Sequence, residues 1–105
     1  MPLAQDQKKH FRQIGHHLKP IVMIADKGLT ENVLNELERA LEDHELIKVK
    51  LAVLDREAKQ AIISTICETS KSELVQSIGK IALIYRAAKK PNPKLSNILR
   101  DHSKP

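Results

Sequence analysis

The chain has 105 residues, with 18 Lys and Arg against 13 Asp and Glu, a net charge of +5, one cysteine and no Trp. That length suits one domain with a proper core of its own. Cys67 alone excludes an internal disulfide, and the longest apolar runs, at 21–25 and 81–85, are too short for a transmembrane helix.

The charge is uneven. Lys8, Lys9, Arg12 and Lys19 against Asp6 give residues 1–20 a charge of +3, and residues 86–105 reach +5, while 21–85 sum to −3. Basic ends on an acidic middle suit a polyanion touched by part of the surface, although a basic soluble protein with no such partner has the same composition. Phe11 and Tyr85 are the only aromatic side chains apart from the histidines. Readers of single-stranded RNA that stack bases on a sheet need several, so an RNA partner is expected to be gripped by backbone and shape. The first residues, MPLAQDQKKHF, lack the apolar core of a signal peptide, which leads to the expectation of a cytoplasmic protein.

In chain order, residues 4–16 read as a helix, with Phe11, Ile14 and Leu18 at helical spacing and Gly15 as its C-terminal stop. Pro20 forces Lys19 extended and leads into an apolar strand, Ile21, Val22, Met23 and Ile24. A short loop follows, Ala25, Asp26, Lys27 and Gly28, then a helix at 30–43 opened by Thr30. The apolar stripe of that helix is Val33, Leu34, Leu37, Ala40 and Leu41, and Glu31, Glu36, Glu38, Glu42 and Asp43 make it strongly acidic. Residues 46–53 alternate as a strand, with Ile47, Val49, Leu51 and Val53 inward and Lys48 and Lys50 outward. Asp55 caps a third helix at 56–69, whose stripe reads Ala58, Ile62, Thr65 and Ile66 with Ala61 alongside. Two strands, 74–78 and 81–85, turn about Gly79. From Lys89 the chain is basic and broken by prolines, with Leu95, Ile98 and Leu99 as candidates for one weak helical turn. The order α-β-α-β-α-β-β predicts an α/β domain, a two-layer arrangement with a mixed four-stranded sheet.

A lysine and a glycine carried by a loop into a helix N-terminus place backbone N–H groups and the positive end of a helix dipole where a phosphate fits. Gly28 serves either close phosphate approach or only the turn. Lys8, Lys9 and Arg12 form either a basic ridge or a wet helix face. Lys48 and Lys50 either contact a polyanion or cover the sheet with their stems. His10, His16, His17, His44 and His102 show no metal-ligand spacing, so structural or solvated roles are the better reading, and no metal or other cofactor is expected. No acid–base–nucleophile set and no P-loop is present, so an enzyme is not expected.

The runs HHLKPIVMIADKGLTENVL, HELIKVKL, DREAK and QSIGKIALIYR resemble the YhbY-type CRM domain, the chloroplast RNA splicing and ribosome maturation module, over residues 3–87. The resemblance implies a fold similar to the C-terminal domain of translation initiation factor 3, with sheet order 1-2-4-3 and the last strand antiparallel. It implies RNA binding and association with the precursor of the large ribosomal subunit. The family's loop after the first strand reads Gly-x-x-Gly, like that of KH domains; here Ala25 stands in place of the first glycine. The expected RNA-binding residues are Lys8, Lys9, Arg12, Lys19, Ala25, Asp26, Lys27, Gly28, Lys48 and Lys50. Residues 1–87 are expected to form the RNA-binding domain and 88–105 a flexible basic tail, in a monomer that engages rRNA and no membrane. The alternative is a protein-interaction adaptor that works through the acidic second helix.

Overall fold

The computed structural model describes residues 4–25, 27–91 and 94–98. The elements are α1 (Gln5–Gly15), β1 (Pro20–Ile24), α2 (Glu31–His44), β2 (Leu46–Leu51), α3 (Arg56–Ser70), β3 (Glu73–Ile78) and β4 (Ile81–Tyr85). The sheet runs β1-β2-β4-β3. β1 is parallel to β2, and β4 is antiparallel to both of its neighbours. The mixed sheet and its order match the expectation.

Strand alternation divides the side chains between two cores. Val22, Ile24, Ile47, Val49, Leu51, Ala82 and Ile84 project to one face and bury against Leu37, Ala40 and Leu41 of α2 and Ile63 and Ile66 of α3. Deleting a buried side chain here, as in Leu41→Ala, removes about 2–5 kcal/mol. On the opposite face, Leu46, Val75 and Leu83 meet Phe11 and Ile14 of α1 in a smaller cluster. Phe11 and Tyr85 pack with ring centroids 4.7 Å apart. The sheet and the α2–α3 layer therefore make the main core, and α1 covers part of the other face.

α1 ends at Gly15 as expected, and the glycine has a second role. It is the last helical residue and is buried, and a Cβ on it would lie 2.7 Å from Leu83 Cδ2. Its lack of a side chain lets the helix settle on β4. α2 is capped as expected, with Thr30 Oγ1 accepting from the Val33 N–H at 3.2 Å, and α3 likewise, with Asp55 Oδ1 accepting from the Glu57 N–H at 3.3 Å.

The stripe of α3 is shifted. Ile63, Ile66 and Ser70 are buried, Ala58, Ile62 and Cys67 are partly so, and Ala61 and Thr65 face solvent. The Thr65 hydroxyl donates to the Ala61 carbonyl at 2.9 Å, a local bond that lets it stay outside. β2 ends at Leu51. Ala52 N–H still donates to Ile24 O at 2.7 Å, after which the chain leaves the sheet and Leu54 is 89% exposed.

Both edge strands carry a register break, between Pro20 and Val22 in β1 and between Leu74 and Gln76 in β3. Among the described residues, no helix is long and apolar enough to cross a membrane.

The segment after Ala87, expected to be mobile from its composition, is seated on the domain in its described part. Glu45, only 4% exposed and held at φ 63°, is the anchor. Its carboxylate accepts from the Ala88 N–H at 2.8 Å and the Ser96 hydroxyl at 2.6 Å. Asn97 donates its side-chain amide to Leu46 O at 2.7 Å and its backbone N–H to His44 O at 2.9 Å. Ser96 is fully buried, and Ile98 packs on the α1 cluster. Leu99, named with these residues in the sequence, lies outside the described residues, as does Asp26 of the loop.

Candidate nucleic-acid interface

The loop after β1 is a tight turn. Gly28 N–H donates to Ala25 O at 2.8 Å, and Thr30 N–H donates to Gly28 O at 3.2 Å. Gly28 has φ +72°, a left-handed conformation that favours glycine, and open space surrounds the position of a Cβ. The glycine is thus required by the turn, and its outer side is free for a ligand backbone. Its own N–H is taken by Ala25 O and is not offered to a ligand. Ala25 and Lys27 are exposed.

The sheet face that carries α1 gathers four more of the expected residues. Lys48 stands opposite Leu83 and lines a hollow with Arg12, Gly15 and His16 of α1. Lys19 lines a second hollow with Lys48 and Ile21, and a third with Met23 and Lys50. Arg12, Lys19, Lys48 and Lys50 therefore border one connected surface. Lys8 lies one helical turn before Arg12 and is half-buried; Lys9 is exposed. Lys27 stands beyond the C-terminal end of β1, beside this surface.

That end of the sheet collects cations which the sequence reading passed over. Ala52 N–H reaches Ile24 O, and Leu51 N–H donates to Lys80 O at 2.6 Å, so the β1 loop, the 52–55 loop and the β3–β4 turn meet there. Arg56 and Lys59 border a hollow with Ser77 and Gly79. Once β4 is placed beside β2, the Asp55 cap and the Gly79 turn bring Arg56 and Lys80 toward the loop. That neighbourhood follows from topology, not from spacing along the chain.

The acidic helix lies on the opposite face. Arg86 Nη1 donates to Glu38 Oε2 at 2.7 Å and to Ser70 O at 3.1 Å, and Nη2 reaches Glu42 Oε1 at 3.5 Å. Glu42 also accepts from the Lys89 N–H at 3.1 Å. Two of the helix's carboxylates are thus engaged within the chain, as is Arg86, whose charge is spent away from the lysine-bearing face. Burial pushes the Cys67 thiol up from its ordinary value; the Ser72 hydroxyl opposes this and the Glu73 charge adds to it. Among the described residues, no group of three or more His, Cys, Asp or Glu side chains is placed to hold a metal ion.

A mixed α/β sheet with a glycine turn at one end and a lysine-lined, half-covered face defines a small binding domain. Residues 3–86 match the CRS1/YhbY (CRM) domain, and the chain belongs to that family. It is 61% identical over 100 residues to a protein of Pseudomonas aeruginosa named a probable RNA-binding protein, covering 95% of this chain and 96% of that one. It is 51% identical over 84 residues to a Haemophilus influenzae protein named an RNA-binding protein, covering 80% and 85% of the two chains. The solution structure of a hypothetical Staphylococcus aureus protein superposes with a TM-score of 0.74 at 36% identity, covering 85% of this chain and 93% of that one.

Proposed function

We propose that this chain is a non-catalytic RNA-binding protein that acts in assembly of the large ribosomal subunit by binding precursor rRNA. The observation that carries the reading is the separation of charge. Arg12, Lys19, Lys48 and Lys50 border one surface beside the Lys27–Gly28 turn, while the carboxylates of α2 lie on the other side of the sheet. Cations gathered on one surface neutralise phosphates, and the turn admits a backbone closely. The names borne by the Pseudomonas and Haemophilus relatives support RNA as the partner. In this reading residues 1–87 form the RNA-binding domain, the basic residues beyond add long-range attraction, and the protein works in the cytoplasm as a monomer. The adaptor alternative is weaker because Glu38 and Glu42 already bind Arg86. Crosslinking in cells followed by sequencing of the bound RNA tests the reading. Enrichment of precursor large-subunit rRNA is the expected result, and recovery without rRNA overturns it.

A further inference from the structure

The uncovered half of the α1-bearing sheet face carries exposed apolar side chains as well as lysines. Ile21 is 50% exposed, Met23 59% and Ile78 62%; all three lie within strands, Ile21 at the register break of β1. Ile78 pairs with Ile81 across β3 and β4, and Lys50 pairs with both Ile81 and Met23. Exposed apolar side chains of β1 and β3 thus flank Lys48 and Lys50 of β2 on this face. The three hollows on this face share lining residues, Lys48 in two of them and Lys19 with Ile21 in two, so they adjoin along a trough beside α1. Among the described residues that line it, none is acidic.

Lysines on an inner strand with exposed apolar side chains on either side complement a partner that carries flat neutral groups beside a line of anions. Single-stranded RNA is such a partner: unpaired bases present apolar faces, and the phosphates run beside them. A duplex hides those faces and offers this surface only phosphates. We infer that this trough holds unpaired nucleobases of single-stranded RNA against Ile21, Met23 and Ile78, while Lys19, Lys48 and Lys50 take the phosphates that run between them. The inference rests on the RNA-binding reading above and extends it from backbone grip to base contact. The scarcity of aromatics rules out a stacking platform, but aliphatic side chains bury a base face without one.

The test uses the full chain with Ile21→Thr, Met23→Thr and Ile78→Thr combined, since threonine keeps strand propensity at exposed sites. Met23→Gln alone serves as a second, milder variant should the triple variant melt early. Three probes of equal length are titrated across a salt series: a single-stranded RNA, the same strand with abasic nucleotides, and a duplex. Wild type is expected to bind all three, and the single strand best. The triple variant should lose roughly five- to tenfold on the single strand, from the apolar area no longer covered. Its salt slope should not change, and it should lose little on the abasic strand or the duplex. Lys48→Gln with Lys50→Gln should instead lower the slope by about one to two.

Equal losses on all three probes, or none on any, overturn base contact while leaving RNA binding standing. A wild type that binds no RNA probe overturns both readings. A wild-type dimer that the triple variant dissolves assigns the trough to a second copy of the chain and overturns the inference.

Discussion

Replacing Ser96 with alanine tests whether the C-terminal segment is part of the folded domain. The Ser96 hydroxyl is fully buried, donates to the Glu45 carboxylate at 2.6 Å and accepts from the Ile98 N–H at 3.2 Å. A hydrogen bond to a charged acceptor contributes about 1.5–3 kcal/mol, and its loss leaves a buried carboxylate with one donor fewer. Water entering beside the smaller side chain recovers part of that, so Ser96→Ala should destabilise the protein by about 2 kcal/mol. For a domain of this size, that lowers Tm by roughly 10 °C. Truncation after Ala87 removes Ala88, Ser96, Asn97 and Ile98 together. It should destabilise at least as much, less the chain entropy released. Urea unfolding of both variants supplies the numbers, and amide exchange at Asn97 reports whether its bond to His44 O is protected in the wild type. Unchanged midpoints in both variants, with rapid exchange at Asn97, would show that the segment is loose in solution and that Glu45 is held by other means.

Lys27→Ala should weaken RNA binding by about three- to tenfold with no change in Tm, since the side chain is exposed at the turn; titrations that match wild type would remove the loop from the site. Gly28→Asp should weaken binding further, because it puts a carboxylate at the open side of the turn. Lys8, Lys9 and Arg12 changed together to Gln should lower the slope of log affinity against log salt by about two to three; an unchanged slope would turn that face of α1 away from RNA. Burial raises the Cys67 thiol above its ordinary 9.0, and burial with the Glu45 charge raises the Tyr85 phenol above its ordinary 10.0. A raised value means the folded protein holds the proton more tightly, so the associated stability is complete below about pH 9 and falls as pH rises through the folded values. Cys67→Ala should flatten the start of that alkaline decline in a pH series of melting curves, and an identical decline would clear the thiol of any part in it.

Most of the fold was legible because its signals are local. Thr30 and Asp55 announce caps, Pro20 and Gly79 punctuate strands, and the alternation of Ile47, Lys48, Val49 and Lys50 fixes both faces of β2. Strand order and the placement of β4 came with the family resemblance, which long-range pairing alone would not have supplied. What was not legible has physical causes. Gly15 reads as a stop and α1 does end there, but the space it leaves for Leu83 does not show along the chain. In α3 two adjacent isoleucines fit either of two phases, and the sheet selects Ile63. The C-terminal segment reads as mobile because it is polar, yet it docks by polar atoms, Ser96 and Asn97, onto Glu45 and the start of β2. Lys48 and Lys50 could be placed on a face from sequence. Their meeting with Arg12 and Lys19 depends on where α1 lies across the sheet.

The register breaks in β1 and β3 bear on how the molecule behaves in a crowded solution. These two strands are the ends of the sheet, where unsatisfied backbone groups invite another chain to add a strand. Pro20 has no N–H to offer, and the irregularity beside it disrupts the even spacing that strand addition needs. The break between Leu74 and Gln76 does the same at the far edge. A sheet spoiled at both margins and open on one face resists growth into ribbons, so its exposed isoleucines and methionine can remain uncovered without becoming a nucleus for aggregation.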